Sequence, residues 1–347
     1  ILADSGADIL VYGMGEKPLT EIAALLAKGV NVRKINSLRG TCVLRSAGDL
    51  PKALCRFIED SGRGAEFIYS EKYVYLPSYE EVRDDKKAYA SAFRIQFEEQ
   101  DPLEGRTLIQ KHPEGYLVQN PPSETLKEEE LDKVYALPFT RQPNDVYVEH
   151  GGIPAVSEVS FSITAHRGCF GGCHFCAIAM HQGRIIQKRS KGSVIKEAEQ
   201  IIDDPGFKGY IHDIGGPTAN FHEPACDKQE RGGVCGGRSC MAPEVCPALR
   251  ADHSSYIDLL RSVRELPGVK KVFVRSGVRF DHVLADSESG FLEQLCAHHI
   301  SGQLKVAPEH VSSSVLKAMG KPGASLYEEF RQAYEITNRK LGLKQYL

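Results

Sequence analysis

Three cysteines, Cys169, Cys173 and Cys176, stand at C-x3-C-x2-C spacing in the stretch GCFGGCHFC, residues 168–176. Thiolates on short local spacings hold iron–sulfur centres, so one loop can present all three to a single cluster. A closed site needs four ligands. With three, one iron stays open to a small molecule, as catalytic metal sites keep a free position and structural ones do not. Gly168, Gly171 and Gly172 permit positive φ and let backbone N–H groups turn inward around a negatively charged cluster. Buried unreactive thiols, half of a zinc site and an electron-transfer ferredoxin remain open at this spacing. Against them, glycine-interleaved cysteines make a poor core, and ferredoxin runs carry a fourth cysteine nearby.

A second group, Cys226, Cys235, Cys240 and Cys246, lies at C-x8-C-x4-C-x5-C in a glycine- and proline-rich insertion, residues 222–248. Four thiols suffice for tetrahedral zinc or a second iron–sulfur cluster, with His222 or His253 as substitute ligands. The alternative is an insertion with ordinary reduced thiols. Cys42 and Cys55 stand alone and read as buried or incidental. HQGRIIQKRS with its neighbour supplies Arg184, Lys188, Arg189 and Lys191, a basic stretch suited to an anionic substrate such as RNA or to counter-charge beside a cluster.

The elements that must position these residues follow from pattern. The chain has 347 residues, 43 basic and 46 acidic, for a formal charge of −3. It is long enough for about two domains, and its near-neutral balance gives no global field toward nucleic acid or anionic membrane. Ten cysteines without a secretory segment point to a reducing compartment, with the cytoplasm expected. No apolar run approaches the ~18 residues of a membrane span. The start at Ile1 and the stop just after LGLKQ, which opens like a strand, read as an internal fragment.

DILVY reads as a strand, and LTEIAALLAKG as a helix, with Gly13 and Gly15 as turn glycines because the full dinucleotide fingerprint is missing. Residues 41–150 read as a connector mixing β-rich pieces (TCVL, FIYSEKYVYL, GYLVQ) with helical ones (KAYASAFRIQFEEQ, SETLKEEELDKVYAL), the latter capped by Ser123 and Glu124. From Ser157 onward, strands EVSFSIT, GYIHDI, KKVFVRS, GQLKVAPEH and KQYL alternate with amphipathic helices. That order predicts an α/β fold of parallel βα units, a barrel or a doubly wound sheet. Ligands of such folds gather at the carboxyl ends of the strands. The cysteine loop, Gly215-Gly216-Pro217, Arg275-Ser276 and Pro308-Glu309-His310 all fall there. Glu309 is a candidate for ribose hydroxyls, and Arg279 or Lys321 for a carboxylate.

On HRGCFGGCHFCAIAMHQGRIIQKRS, DIGGPTAN, SGVRFD, LKVAPEH, YALPFTR and IPAVSEVSFSIT, over essentially the whole chain, the sequence resembles the radical SAM superfamily and, more narrowly, the YgiQ-type proteins. The resemblance implies a 4Fe-4S cluster on Cys169, Cys173 and Cys176, with S-adenosylmethionine on the open iron. Its reductive cleavage would give a 5′-deoxyadenosyl radical acting on a substrate that the residues do not specify. Phe175 would flank the adenine. Gly215, Gly216 and Pro217 would face the methionyl amino group, with proline in place of the usual acid. From the strand ends alone, Ser276, Arg279 and Glu309 are the further cofactor-binding candidates, solvated loop charges being the other reading of the last two. The implied fold is a truncated TIM-like barrel at 151–347, preceded by a connector and, at 1–40, by the end of a Rossmann-like, cobalamin-binding-like domain. No DxHxxG pattern for ligating cobalamin occurs. An electron donor such as flavodoxin or ferredoxin is the implied partner. The competing class is a non-enzymatic iron–sulfur or zinc protein that binds RNA or a protein partner.

Overall fold

The computed structural model describes residues 1–61 and 69–347. Contacts divide the chain into two compact units, one built mainly from Ile1–Thr125 and the other from Leu126–Ala179, Arg184–Glu230 and Gly237–Leu347. The division falls at 125.

The first unit is organised by one sheet of strands β1 (Leu10–Val11), β2 (Thr41–Arg45), β3 (Tyr73–Tyr75), β4 (Thr107–His112) and β5 (Gly115–Gln119), in the order β1-β2-β5-β4-β3. β1 pairs antiparallel with β2, so residues before 40 share a sheet with those expected to be a connector. The β4–β5 hairpin pairs His112 with Gly115, and a Cβ on Gly115, at φ +145°, would come 2.3 Å from the Arg45 carbonyl oxygen. Only glycine closes that register. Val43, Ile109 and Val118 pack with Leu50, Leu54 and Phe57 beneath the sheet. Among the described residues of the expected strand FIYSEKYVYL, Tyr73–Tyr75 form a strand; Phe67 and Ile68 lie outside the described residues.

In the second unit, β6 (Ser162–Thr164), β7 (His166–Arg167), β8 (Gln187–Lys188), β9 (Tyr210–Ile211), β10 (Asp213–Gly215) and β11 (Lys271–Val272) carry the chemistry-bearing loops. β6 pairs parallel with β10, and β9 with β11. Parallel bridges Val278 to Val306 and Gln303 to Tyr346 extend the succession. Each expected strand therefore lies beside the next in parallel, as βα order requires. Among the described residues no pairing joins Tyr346 back to β6, so a closed barrel is not formed. Helices Lys191–Ile202, Ser254–Arg264, Phe291–His298 and Ala324–Lys340 bury Val194, Ala198, Tyr256, Leu260, Leu295 and Phe330 in one core with Ile163, Ile211, Ile214 and Val272.

Two local expectations change. The first two residues of EVSFSIT belong to a helix, Val156–Val159, and the strand keeps only Ser162–Thr164. The helix in SETLKEEELDKVYAL starts at Glu128, too late for Ser123 to cap it; Glu130 instead accepts from the Lys127 N–H at 2.8 Å.

Glu197 sits on the buried face of Lys191–Ile202, 4% exposed, because two arginines meet it there. Its carboxylate pairs with Arg141 and with Arg189, a guanidinium 1% exposed that stacks on Tyr135 at 4.3 Å and donates to the Thr164 carbonyl at 2.9 Å. Arg141 also donates to Ser160 and Ser162 carbonyls, at 3.2 and 3.3 Å. The triad thus ties the helix to β6. Removing one member leaves buried charge without a partner, which costs about 3–5 kcal/mol. Glu197→Ala is expected to lower the urea unfolding free energy by that amount, and a change within about 0.5 kcal/mol, typical of surface substitutions, would contradict the assignment.

Candidate functional site

The cysteine loop leaves and re-enters the second unit through one short clasp. β7 pairs antiparallel with β8, His166 opposite Lys188 and Arg167 opposite Gln187. Ala165 donates to the Gly215 carbonyl at 2.7 Å and Arg189 to the Ala165 carbonyl at 2.9 Å, so the clasp continues the β6–β10 pairing at its carboxyl end. Gly168 starts the loop at φ +88°, where a Cβ would lie 2.1 Å from the Ile185 carbonyl oxygen. Beyond it, His174 anchors the loop. Its N–H donates to the Met319 carbonyl at 3.0 Å, and its Nδ1 lies 2.9 Å from the Ala318 carbonyl oxygen.

Cys169, Cys173 and Cys176 are all half-buried and form no disulfide. Burial pushes the Cys173 thiol up, and the charges of Arg279 and Lys321 pull it back down. Arg279 Nη1 lies 3.7 Å from Cys173 Sγ, and Thr218 Oγ1 3.4 Å from Cys169 Sγ. Lys321, 5% exposed, donates to the Ala307 carbonyl at 2.7 Å and pairs with Glu309 at 3.4 Å. Among the described residues no three His, Cys, Asp or Glu side chains converge on a single metal ion. A cluster makes a different demand, since each thiolate binds its own iron at a separate corner. Three thiols on one loop, with two buried cations beside them, are a donor set that suits a polynuclear, negatively charged group.

The strand ends meet, through a residue that sequence reasoning passed over. Asp213, in β10, accepts from the Arg275 N–H at 2.7 Å and the Ser276 N–H at 3.1 Å, and its carboxylate also takes the Ser276 hydroxyl. Gly215 faces Ser276 so closely that a Cβ would lie 2.9 Å from its hydroxyl, while one on Gly216 would meet His166 Nε2 at 2.5 Å. The two glycines are therefore demanded by packing. An acid near the carboxyl end of the expected strand GYIHDI was the available signal for Asp213. Asn220 and Asp281, which hold Arg279, had no comparable signal.

Elsewhere the side chains are otherwise engaged. Lys188 pairs with Glu223 at 2.8 Å, Lys191 with Asp258 at 2.7 Å, and Arg184 donates to the Arg238 carbonyl at 3.1 Å. With Arg189 buried on Glu197, each of the four cations of the basic stretch has a partner within the chain. In the insertion, Cys240 packs with Cys169 against Phe170, Phe221, Ala225 and Met241, and Ser239 donates to the Gly171 carbonyl at 3.1 Å. The segment props up the cysteine loop. Cys235 falls in the first unit and Cys226, Cys240 and Cys246 in the second, and the four form no metal-ligating group among the described residues. His253, offered as a substitute ligand, is bound to Asp286 at 2.5 Å and to Asn220 at 3.0 Å.

Behind the loop, His166 and His282 are buried, and desolvation lowers each from 6.5 to about 3. Both are neutral in the fold, whereas the unfolded chain takes up protons below 6.5. Stability is therefore present above pH 6.5 and lost as pH falls toward 3. The urea midpoint is expected to drop steadily between pH 6.5 and 4, and a flat midpoint there would contradict the burial.

Residues 1–162 match the family model described as Radical SAM N-terminal. A UPF0313 protein of Clostridium botulinum is 49% identical over 348 residues, covering 100% of this chain and 51% of the relative. A UPF0313 protein of Clostridium perfringens is 50% identical over 347 residues, covering 100% of this chain and 50% of the relative. The chain thus spans about half the length of the curated relatives it matches. Among solved structures, the radical S-adenosylmethionine methyltransferase TsrM from Kitasatospora setae, with tryptophan and a SAM analogue bound, is 14% identical, with 99% of this chain and 45% of that one covered. Its TM-score is 0.43, a likeness too weak to bear on fold or activity. Identity near one half to UPF0313 proteins runs the whole length of this chain and spans the cysteine loop, and its first 162 residues match a radical SAM family model.

Proposed function

We propose that the chain is the core of a radical SAM enzyme in which Cys169, Cys173 and Cys176 hold a 4Fe-4S cluster and leave one iron to S-adenosylmethionine. The observation that carries this reading is the three-thiol loop clasped at the carboxyl end of β6, with the Arg279 guanidinium buried 3.7 Å from one of its sulfurs. When bound, the cluster supplies the electron that splits the sulfonium of S-adenosylmethionine into methionine and a 5′-deoxyadenosyl radical able to take hydrogen from a substrate. The chain's own residues bind, orient and keep out water.

Several of them fit such a role. Phe175, 52% exposed, lines a cavity of about 420 Å³ with His174, Ser314, Val315, Ala318 and Met319, an apolar wall with an aromatic face that suits a purine ring. Gly215 gives its carbonyl to Ala165, which leaves the backbone of Gly216 and Pro217 to meet a methionyl amino group. Lys321 holds Glu309 in place for ribose hydroxyls, at a backbone with φ +69°. Parallel βα units of this kind are the framework of a partial barrel, and turnover needs one electron, which a donor protein such as flavodoxin or ferredoxin would deliver. No described helix is long and apolar enough to cross a membrane.

Full-length protein, reconstituted anaerobically with iron and sulfide, reduced with dithionite and supplied with S-adenosylmethionine, is expected to release 5′-deoxyadenosine. Cys169→Ala, Cys173→Ala and Cys176→Ala should each reduce the product at least a hundredfold. A verified reduced cluster that yields no 5′-deoxyadenosine, or alanine variants that keep the wild-type rate, would overturn the reading.

A further inference from the structure

We infer that Arg279 is a positioning residue that sets the reduction potential of the cluster, rather than a clamp for a ligand carboxylate. The inference rests on the cluster reading above. It comes from how completely the side chain is immobilised, and toward what. Arg279 is 5% exposed. The Asn220 amide holds its backbone from both sides, accepting from the Arg279 N–H at 2.8 Å and donating to its carbonyl at 3.1 Å. Asn220 is itself bonded to His253, and His253 to Asp286, so the hold reaches into the core.

At the other end Asp281 takes the Nε edge of the guanidinium at 2.8 Å and also pairs with Nη2. The Phe221 ring lies under the cation at 5.6 Å and stacks on Phe170 at 3.7 Å. Only Nη1 is left over by Asp281, and it faces Cys173. Room for it exists because residue 171 is glycine: a Cβ there would lie 2.5 Å from Nη1. A charge fixed on four sides has no freedom to follow a diffusing carboxylate.

Its consequence follows from sign. Reduction adds one negative charge to a group already negative, and a buried cation donating toward a ligand sulfur stabilises that added charge. Hydrogen bonds to sulfur and local charge are established levers on iron–sulfur potentials. Arg279 therefore raises the potential, and Asp281, on the far edge of the guanidinium, tempers the effect while holding it in place.

The test is EPR-monitored potentiometry of the reconstituted full-length protein, wild type against R279Q, R279K and D281N, with iron and sulfide content measured for each. R279Q is expected to lower the equilibrium constant for reduction at least tenfold, which for a one-electron couple is about 59 mV. D281N removes the tempering carboxylate and is expected to shift the potential upward. If R279Q fails to hold a cluster, R279K, which keeps the charge, is expected to restore one. Potentials unmoved in both R279Q and D281N, shifts of the same sign, or loss of the cluster from R279K as well, would overturn the role of Arg279. A wild-type protein that binds no iron would sink the cluster reading itself, and the two failures are thereby told apart.

Discussion

Three thiols must lose their protons to bind metal, and burial makes that loss harder for Cys173. The second unit answers this with a fixed positive charge. Arg279 reaches Cys173 only because Asn220 locks its backbone, Asp281 grips one edge, Phe221 supports its face and Gly171 leaves space. Asn220 and Phe221 come from one stretch, Gly171 from the cysteine loop and Asp281 from the turn of Arg279 itself, so the site depends on packing between these segments and not on the loop alone. The same partners connect outward, Asn220 to His253 and Asp286, and Phe221 to Phe170 inside the loop.

The framework shows a consistent treatment of charge. Arg189 is paired with Glu197, Lys321 with Glu309 and Arg279 with Asp281, each cation buried and each carboxylate on a neighbouring element or turn. Buried pairs of this kind bring little net stability, but breaking one is expensive, so they fix geometry more than they add free energy. Here they fix the distance between β6 and its following helix, and the place of a cation beside a sulfur. The insertion works in the same direction by apolar contact, with Met241 and Cys240 packed on Phe170 and Cys169.

The C-x3-C-x2-C spacing and the alternation of strands and helices were legible in the sequence because both are local periodic signals. The parallel succession from β6 to Tyr346 follows the predicted strand order. What was not legible depended on partners distant in sequence. Nothing local says that Arg189 is buried, since Glu197 and Tyr135 meet it only after folding, and the basic stretch therefore read as a surface. Ser123 resembled a cap, yet the helix starts where Glu130 can reach back. Nothing local says that the two-residue strand Leu10–Val11 pairs with Thr41–Arg45. Nothing local says that Asp281 and Cys173 both meet the Arg279 guanidinium in the fold.

The central claim is that three thiols on one clasped loop hold a cluster with one iron left open. Mössbauer spectroscopy of iron-labelled, anaerobically reconstituted full-length protein, with and without S-adenosylmethionine, tests it most directly. Adding S-adenosylmethionine is expected to shift the signal of a single iron site and leave the others in place. An identical spectrum in both conditions, or protein that retains no iron at all, would contradict it.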